Sequence, residues 1–155
     1  MKLNLSRPLC IFDLETTGLQ ITKDRIIQIG IVKINTNGET EEYSRLVNPE
    51  IEIPHESISI HRITNEMVIN EPTFKEIAQE IISFIDNSDL GGYNSNKFDI
   101  PVLAEAFIRA EIEFDLSDRH FIDVQNIFHK MEQRTLVAAY KFYCDQTMSN
   151  AHDAL

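Results

Sequence analysis

Apolar positions along the chain change period several times, and each change predicts an element. Pro8 to Leu14 is a short apolar run that fits a buried strand and stops at the turn signal Thr16-Thr17-Gly18. Arg25 to Ile34 is apolar and rich in β-branched residues, and Asn37-Gly38 separates it from the more polar run Thr40 to Val47, which predicts a hairpin. These three strands are expected to be antiparallel neighbours. After a loop with Pro49 and Pro54, short helical stretches are expected over Glu56 to His61 and around Asn65-Glu66-Met67. From Pro72 onward Phe74, Ile77, Ala78, Ile81, Ile82 and Ile85 recur at helical spacing with charge on the other face, so an amphipathic helix is predicted.

The second half alternates. Asp89 to Tyr93 reads as a strand, and Asn94-Ser95-Asn96 as a capping cluster before a helix carrying Val102, Leu103, Ala106 and Phe107. Pro101 is tolerated only in that helix's first turn, which puts Asp99 near the helix N-terminus. His120 to Val124 reads as a further strand, followed by helical pieces over Gln125 to Met131, Thr135 to Cys144 and from near Ala151. Strands first, then helix and strand in turn, predict an α/β layered fold with a mixed sheet.

Composition narrows the class. The 155 residues suit one domain, and 43% hydrophobic with 25% charged residues is ordinary globular composition. Cys10 and Cys144 lack metal-type spacing and read as reduced core or near-core residues of an intracellular protein. No apolar run approaches the roughly 20 residues that cross a bilayer, and the first residues lack a signal-peptide apolar region, so a cytoplasmic location without membrane association is the expectation. The net charge of -11 repels phosphate at long range and argues against a general nucleic-acid binder. An enzyme that gathers divalent cations with carboxylates escapes that argument, because bound metal inverts the local field.

Three segments carry candidate chemistry. Residues two apart on a strand share a face, so Asp13 and Glu15 pair their carboxylates while Phe12 and Leu14 face the other layer. Such hard oxygen ligands suit Mg²⁺ or Mn²⁺, and the plainer alternative is an edge strand ending in water. Asp99 follows a strand and opens a helix, at the sheet edge where open α/β folds bind ligands; alone such an aspartate is more often a cap favoured by the helix dipole. His152 can take a proton from water near neutral pH, although a late histidine is often a surface residue, as His55, His120 and His129 are read to be.

In order along the chain stand Phe-Asp-Leu-Glu-Thr-Thr-Gly at 12–18, Ser-Ile-His-Arg-Ile-Thr at 59–64, Asn-Ser-Asn-Lys-Phe-Asp at 94–99 and Ala-His-Asp-Ala at 151–154. Together they resemble the DEDDh group of 3′-5′ exonucleases, the family of the proofreading epsilon subunit of bacterial DNA polymerase III. The resemblance implies a ribonuclease H-like fold with a central five-stranded mixed sheet flanked by helices. It implies that Asp13 bridges two divalent ions, Mg²⁺ or Mn²⁺, that Glu15 and Asp99 complete their ligands, and that His152 is the general base for the attacking water. Leu14, Thr16, Thr17 and Gly18 would line the pocket of the terminal nucleotide, and His61, Asn94 and Phe98 would touch the substrate strand. For these lining residues local roles stand beside the functional one: Thr17-Gly18 as a turn, Asn94 as a cap, Phe98 as core.

Family members carry a fourth acidic ligand five residues after the histidine, and the sequence given ends at Leu155, two positions short of it. The expectation is therefore a single exonuclease domain, 1–155, cut within its last helix. The implied reaction is hydrolysis of 3′-terminal phosphodiesters of DNA at single-stranded or frayed ends by a two-metal mechanism, releasing nucleoside monophosphates. The implied partners are DNA or RNA 3′ ends and a DNA polymerase. Two other readings stay open, an RNA-directed exonuclease of the same group and a non-catalytic module that grips a strand end or a polymerase.

Overall fold

A computed structural model describes residues 4–93 and 95–123. Five strands form one mixed sheet in the order β3-β2-β1-β4-β5. β1 (Leu9–Thr16), β2 (Ile26–Ile34) and β3 (Thr40–Leu46) are the expected antiparallel neighbours, while β4 (Asp89–Gly92) and β5 (Phe121–Asp123) add in parallel on the other side of β1. Parallel pairing needs crossovers. The β3-to-β4 crossover contains α1 (His55–His61), α2 (Asn65–Val68) and α3 (Phe74–Ile85), and α4 (Ile100–Arg109) lies between β4 and β5.

The β2–β3 turn follows from Asn37-Gly38. Gly38 takes φ +89, a left-handed backbone that glycine adopts without steric cost, and its N–H bonds the Asn35 carbonyl at 2.9 Å. β3 is the exposed edge of the sheet, and its run Thr40-Glu41-Glu42 discourages pairing with another strand. α3 starts where Thr73 and Glu76 cap each other reciprocally.

One core sits between the sheet and the helices α3 and α4. Cys10, Phe12, Leu14, Ile29, Ile31 and Leu90 meet Ile77, Ile81 and Ile85 from α3 and Val102, Leu103 and Phe107 from α4. Each large side chain fully buried here stabilises the fold by about 1.5–3 kcal/mol relative to exposure. Cys10 is buried and unbridged, as expected, and no helix among the described residues is long and apolar enough to cross a membrane.

The pairing of β1 with β2 slips in register near the end of β1. Glu15 pairs with Gln28 and Thr16 with Ile26, which leaves Ile27 as an extra residue. Beyond the slip the facing alternation is reset. Ile26 joins Ile29 in the main core, while Ile27 packs with Ile53, Ile63 and Val68 in a second cluster under α1 and α2.

The helical backbone before α4 begins already at Ser95. A π-helical turn, Ser95–Asp99, runs straight into α4, and Asp99 already has helical backbone (φ −62, ψ −45) with no side-chain cap bond. A single π turn inserts an extra residue into a helix and is frequent at functional sites. Several strand ends move by a residue or two: β1 extends to Thr16, and β4 stops at Gly92. Asn94, the helical pieces after Val124, Cys144, His129 and His152 lie outside the described residues.

Candidate active site

The site grows from the C-terminal edge of the parallel part of the sheet. On β1 the core side chains Cys10, Phe12 and Leu14 are buried, and the alternating partners Ile11, Asp13 and Glu15 lie on the other face, partly exposed. β4 lies parallel to β1, so the chain leaving β4 emerges beside the end of β1. The π turn packs against β1, β4 and β5 and delivers Asp99 there.

Asp99 is buried at 6% exposure, and burial pushes its carboxyl well above the ordinary range. The negative charges of Asp13, Glu15 and Asp123 push it further the same way. Burial likewise lifts the Asp13 carboxyl from an ordinary 3.8 to about 7, opposed by a hydrogen bond with the Leu14 backbone. Among the described residues, no Lys or Arg is among the groups that set either carboxyl. A buried carboxylate group without a counter-charge is costly unless a cation joins it.

Hard oxygen donors in this state fit Mg²⁺ or Mn²⁺ in chemistry and charge. Among the described residues no three His, Cys, Asp or Glu side chains are gathered tightly enough to hold a metal ion by themselves. Electrostatic repulsion between like charges works against that closer approach. The absence of a cap bond from Asp99 also removes the simplest structural role for it.

The lining residues divide. Thr16 and Thr17 are buried, and both are tied into the turn: Thr16 Oγ1 donates to the Gly18 carbonyl at 2.6 Å, and Thr17 Oγ1 donates to Asp24 Oδ1 at 2.8 Å. Leu14 is in the main core, so on the carboxylate side it can present only backbone. Phe98 is half-buried and packs against that core. His61 is buried at the end of α1; its Nδ1 accepts from the Ile63 N–H at 3.1 Å, and its Nε2 has no hydrogen-bond partner among the described residues. Burial lowers its pKa, and the Thr16 backbone pulls the other way, which places the ring beside the end of β1.

Three contributors escape a reading by motif. Asp24 accepts from Thr17 Oγ1 and from the Gln20 N–H at 2.7 Å, so it holds the turn after β1 closed. Ser57 of α1 donates to the Thr17 carbonyl at 2.6 Å and clamps the turn from the other side. Asp123, at the C-terminal end of β5, is buried and joins the field around Asp99. Its signal in the sequence is the pattern shared with β1, an aspartate that comes after apolar residues in a strand ending at the ligand edge.

Gly18 is required by this packing. A Cβ built there stands 2.5 Å from Asp24 Oδ2 and 2.7 Å from Asp24 Cγ. Gly18→Ala is therefore expected to displace Asp24, break its bonds to Thr17 and Gln20, and cost about 1–2 kcal/mol. Thermal melts would register that loss; an unchanged Tm would contradict the packing argument.

A five-stranded mixed sheet in this order, with carboxylates converging at its ligand edge, defines an α/β protein of the ribonuclease H-like kind. The fold matches that of Escherichia coli exonuclease I solved with a dT13 oligonucleotide, with a TM-score of 0.79 at 18% identity, over 96% of this chain and 38% of that one. An exonuclease family profile matches residues 10–155, and the chain belongs to that exonuclease family, in its DEDDh group. It is 40% identical over 92 residues to the DNA polymerase III subunit epsilon of Treponema pallidum, covering 59% of this chain and 42% of that protein. It is 34% identical over 104 residues to the 3′-5′ exonuclease DinG of Staphylococcus epidermidis, covering 67% of this chain and 11% of that protein. The chain thus spans less than half the length of these relatives.

Proposed function

We propose that this chain is a nuclease that hydrolyses the 3′-terminal phosphodiester of DNA, at single-stranded or frayed ends, and releases nucleoside monophosphates. The observation that carries the reading is the action of Asp13 and Glu15 on a buried Asp99 with no cationic side chain, among the described residues, in the groups that set it. Asp13, Glu15 and Asp99 would hold two divalent ions, Mg²⁺ or Mn²⁺. When bound, such ions polarise a phosphoryl oxygen and lower the pKa of a bound water. His152 is assigned as the general base, a role that suits imidazole near neutral pH.

The chain's own part is to present and confine the strand end. Thr16, Thr17 and Gly18, with the Leu14 backbone, form the wall against the terminal nucleotide, and His61 stands beside Thr16 at the end of β1. Asn94 and Phe98 are assigned to the substrate strand. The relatives named as a polymerase subunit and as a 3′-5′ exonuclease support both the activity and a polymerase as an assembly partner.

The test is direct. With Mg²⁺ or Mn²⁺ the full chain should release mononucleotides first from a labelled DNA strand, and EDTA should stop it. A matched RNA strand shortened with a higher kcat/KM would shift the assignment to an exoribonuclease, since the pocket's treatment of the 2′-hydroxyl decides that choice. A strand bound but never shortened would make the chain a binding module.

A further inference from the structure

Beyond the carboxylate edge, the described residues include a cleft of about 100 Å³ whose rim is basic. It lies between the start of α3, the end of α4 and the segment after β3. Arg25, Lys75 and Arg109 line it, over a floor that includes Ile26, Phe74 and Ala106. The chain has 25 acidic residues against 14 Lys and Arg, so three cations around one small cleft is a local reversal of its charge. Among the described residues none of the three forms a salt bridge. Arg25 Nη1 donates to the Pro49 carbonyl at 3.1 Å and Arg109 Nη2 to the Thr22 carbonyl at 3.4 Å, so the two guanidinium groups are oriented by backbone carbonyls. Glu50 is the one acidic residue in the lining.

The cleft adjoins the turn that walls the carboxylate site. The Arg25 N–H donates to Thr17 Oγ1 and the Thr17 N–H to the Arg25 carbonyl, while Arg109 holds Thr22 in the same loop. Asp99 and Arg109 lie at opposite ends of α4, about 15 Å apart at the usual helical rise. We propose that this cleft binds a backbone phosphate of the substrate strand a few nucleotides upstream of the scissile bond. The inference rests on the strand-end reading above. It explains how an acidic chain holds a polyanion: attraction is confined to one basic spot, and the catalytic edge keeps its carboxylates for cations. Arg and Lys pair with phosphate through charge-assisted hydrogen bonds, which the apolar floor strengthens by excluding water.

Binding of fluorescent dT2 and dT8 to the full chain at several salt concentrations tests this. A dinucleotide at the carboxylate edge is too short to reach the cleft; an octanucleotide is not. The double variant Lys75→Ala/Arg109→Ala should weaken dT8 by about tenfold at low salt and flatten its log–log salt slope by about 0.7, the share of one phosphate on a single strand. Binding of dT2 should not move. Arg109→Lys, which keeps the charge, should recover most of the dT8 affinity, and Glu50→Gln should tighten dT8 about twofold. If the double variant melts early, Lys75→Ala alone, on an exposed side chain, should show half the slope change.

Equal dT8 binding by wild type and double variant would overturn the proposal, as would equal losses for dT2 and dT8 or no dT8 binding by wild type. Mononucleotide release from dT2 with Mg²⁺ reports on the carboxylate site alone, so failure there counts against the nuclease reading and not against the cleft.

Discussion

Asp13→Ala should lower 3′-terminal turnover by about 10³-fold or more while leaving the fold intact. Loss of one preorganised charge-stabilising group commonly costs about 10²–10³ in rate, and Asp13 is assigned to both metal ions, so its removal disables both. Its side chain lies off the main core, so the alanine leaves no core cavity. The loss should fall on kcat, with KM for a DNA strand nearly unchanged, because the lining turn and the basic cleft remain. Steady-state kinetics with Mg²⁺ check this. Wild-type turnover in the alanine variant would end the two-metal assignment.

Without divalent metal, the protein should become less stable as pH rises from about 4 to about 7, the reverse of the usual carboxylate behaviour. Burial lifts the folded-state pKa of Asp13 from 3.8 to about 7 and that of Asp99 in the same direction. A raised folded pKa means that the folded state holds the proton more tightly than the unfolded chain. The stability this contributes is complete below the unfolded value of 3.8 and is lost as pH climbs through the folded value. Asp13→Asn removes the charge that burial penalises. In EDTA at pH 8 it should stabilise the fold by about 2 kcal/mol after allowance for partial exposure, or roughly 4–8 °C in Tm. Millimolar Mg²⁺ should raise the wild-type Tm more at pH 8 than at pH 5, and should do little for the asparagine variant. A flat profile of metal-free Tm against pH would show that these carboxyls are not strained by burial.

Both results turn on one trade. On the proposed reading, the edge of the sheet gives up stability so that carboxylates stand ready for a cation, a pattern seen where ligands repay strain. The penalty is concentrated at Asp13 and Asp99, while Asp24, Ser57 and Thr17 form an ordinary satisfied network next to it. The threonine side chains of the Thr16-Thr17-Gly18 turn bond within the protein, so on the proposed reading a nucleotide meets chiefly the surface that the turn presents.

Much of the fold and part of the site are legible in the residues alone. Alternation places Asp13 and Glu15 opposite Phe12 and Leu14, helical spacing finds the buried faces of α3 and α4, and Asn37-Gly38 locates the hairpin. The ordered motifs point to the exonuclease family, to which the chain belongs. Each of these signals is written within a few neighbouring residues, where backbone period and turn chemistry act directly. The π turn before α4 escapes the same local signals, since it accompanies packing of that segment against β1, β4 and β5.

Only the tertiary structure decided the rest. The slip that makes Ile27 an extra residue, the burial of Asp99, the approach of Asp123 and the joining of Arg25, Lys75 and Arg109 around one cleft all depend on segments far apart in sequence. Local pattern determines which way a side chain points along its own element. What it meets there depends on strand order and crossover packing, and so does the cost of burying its charge.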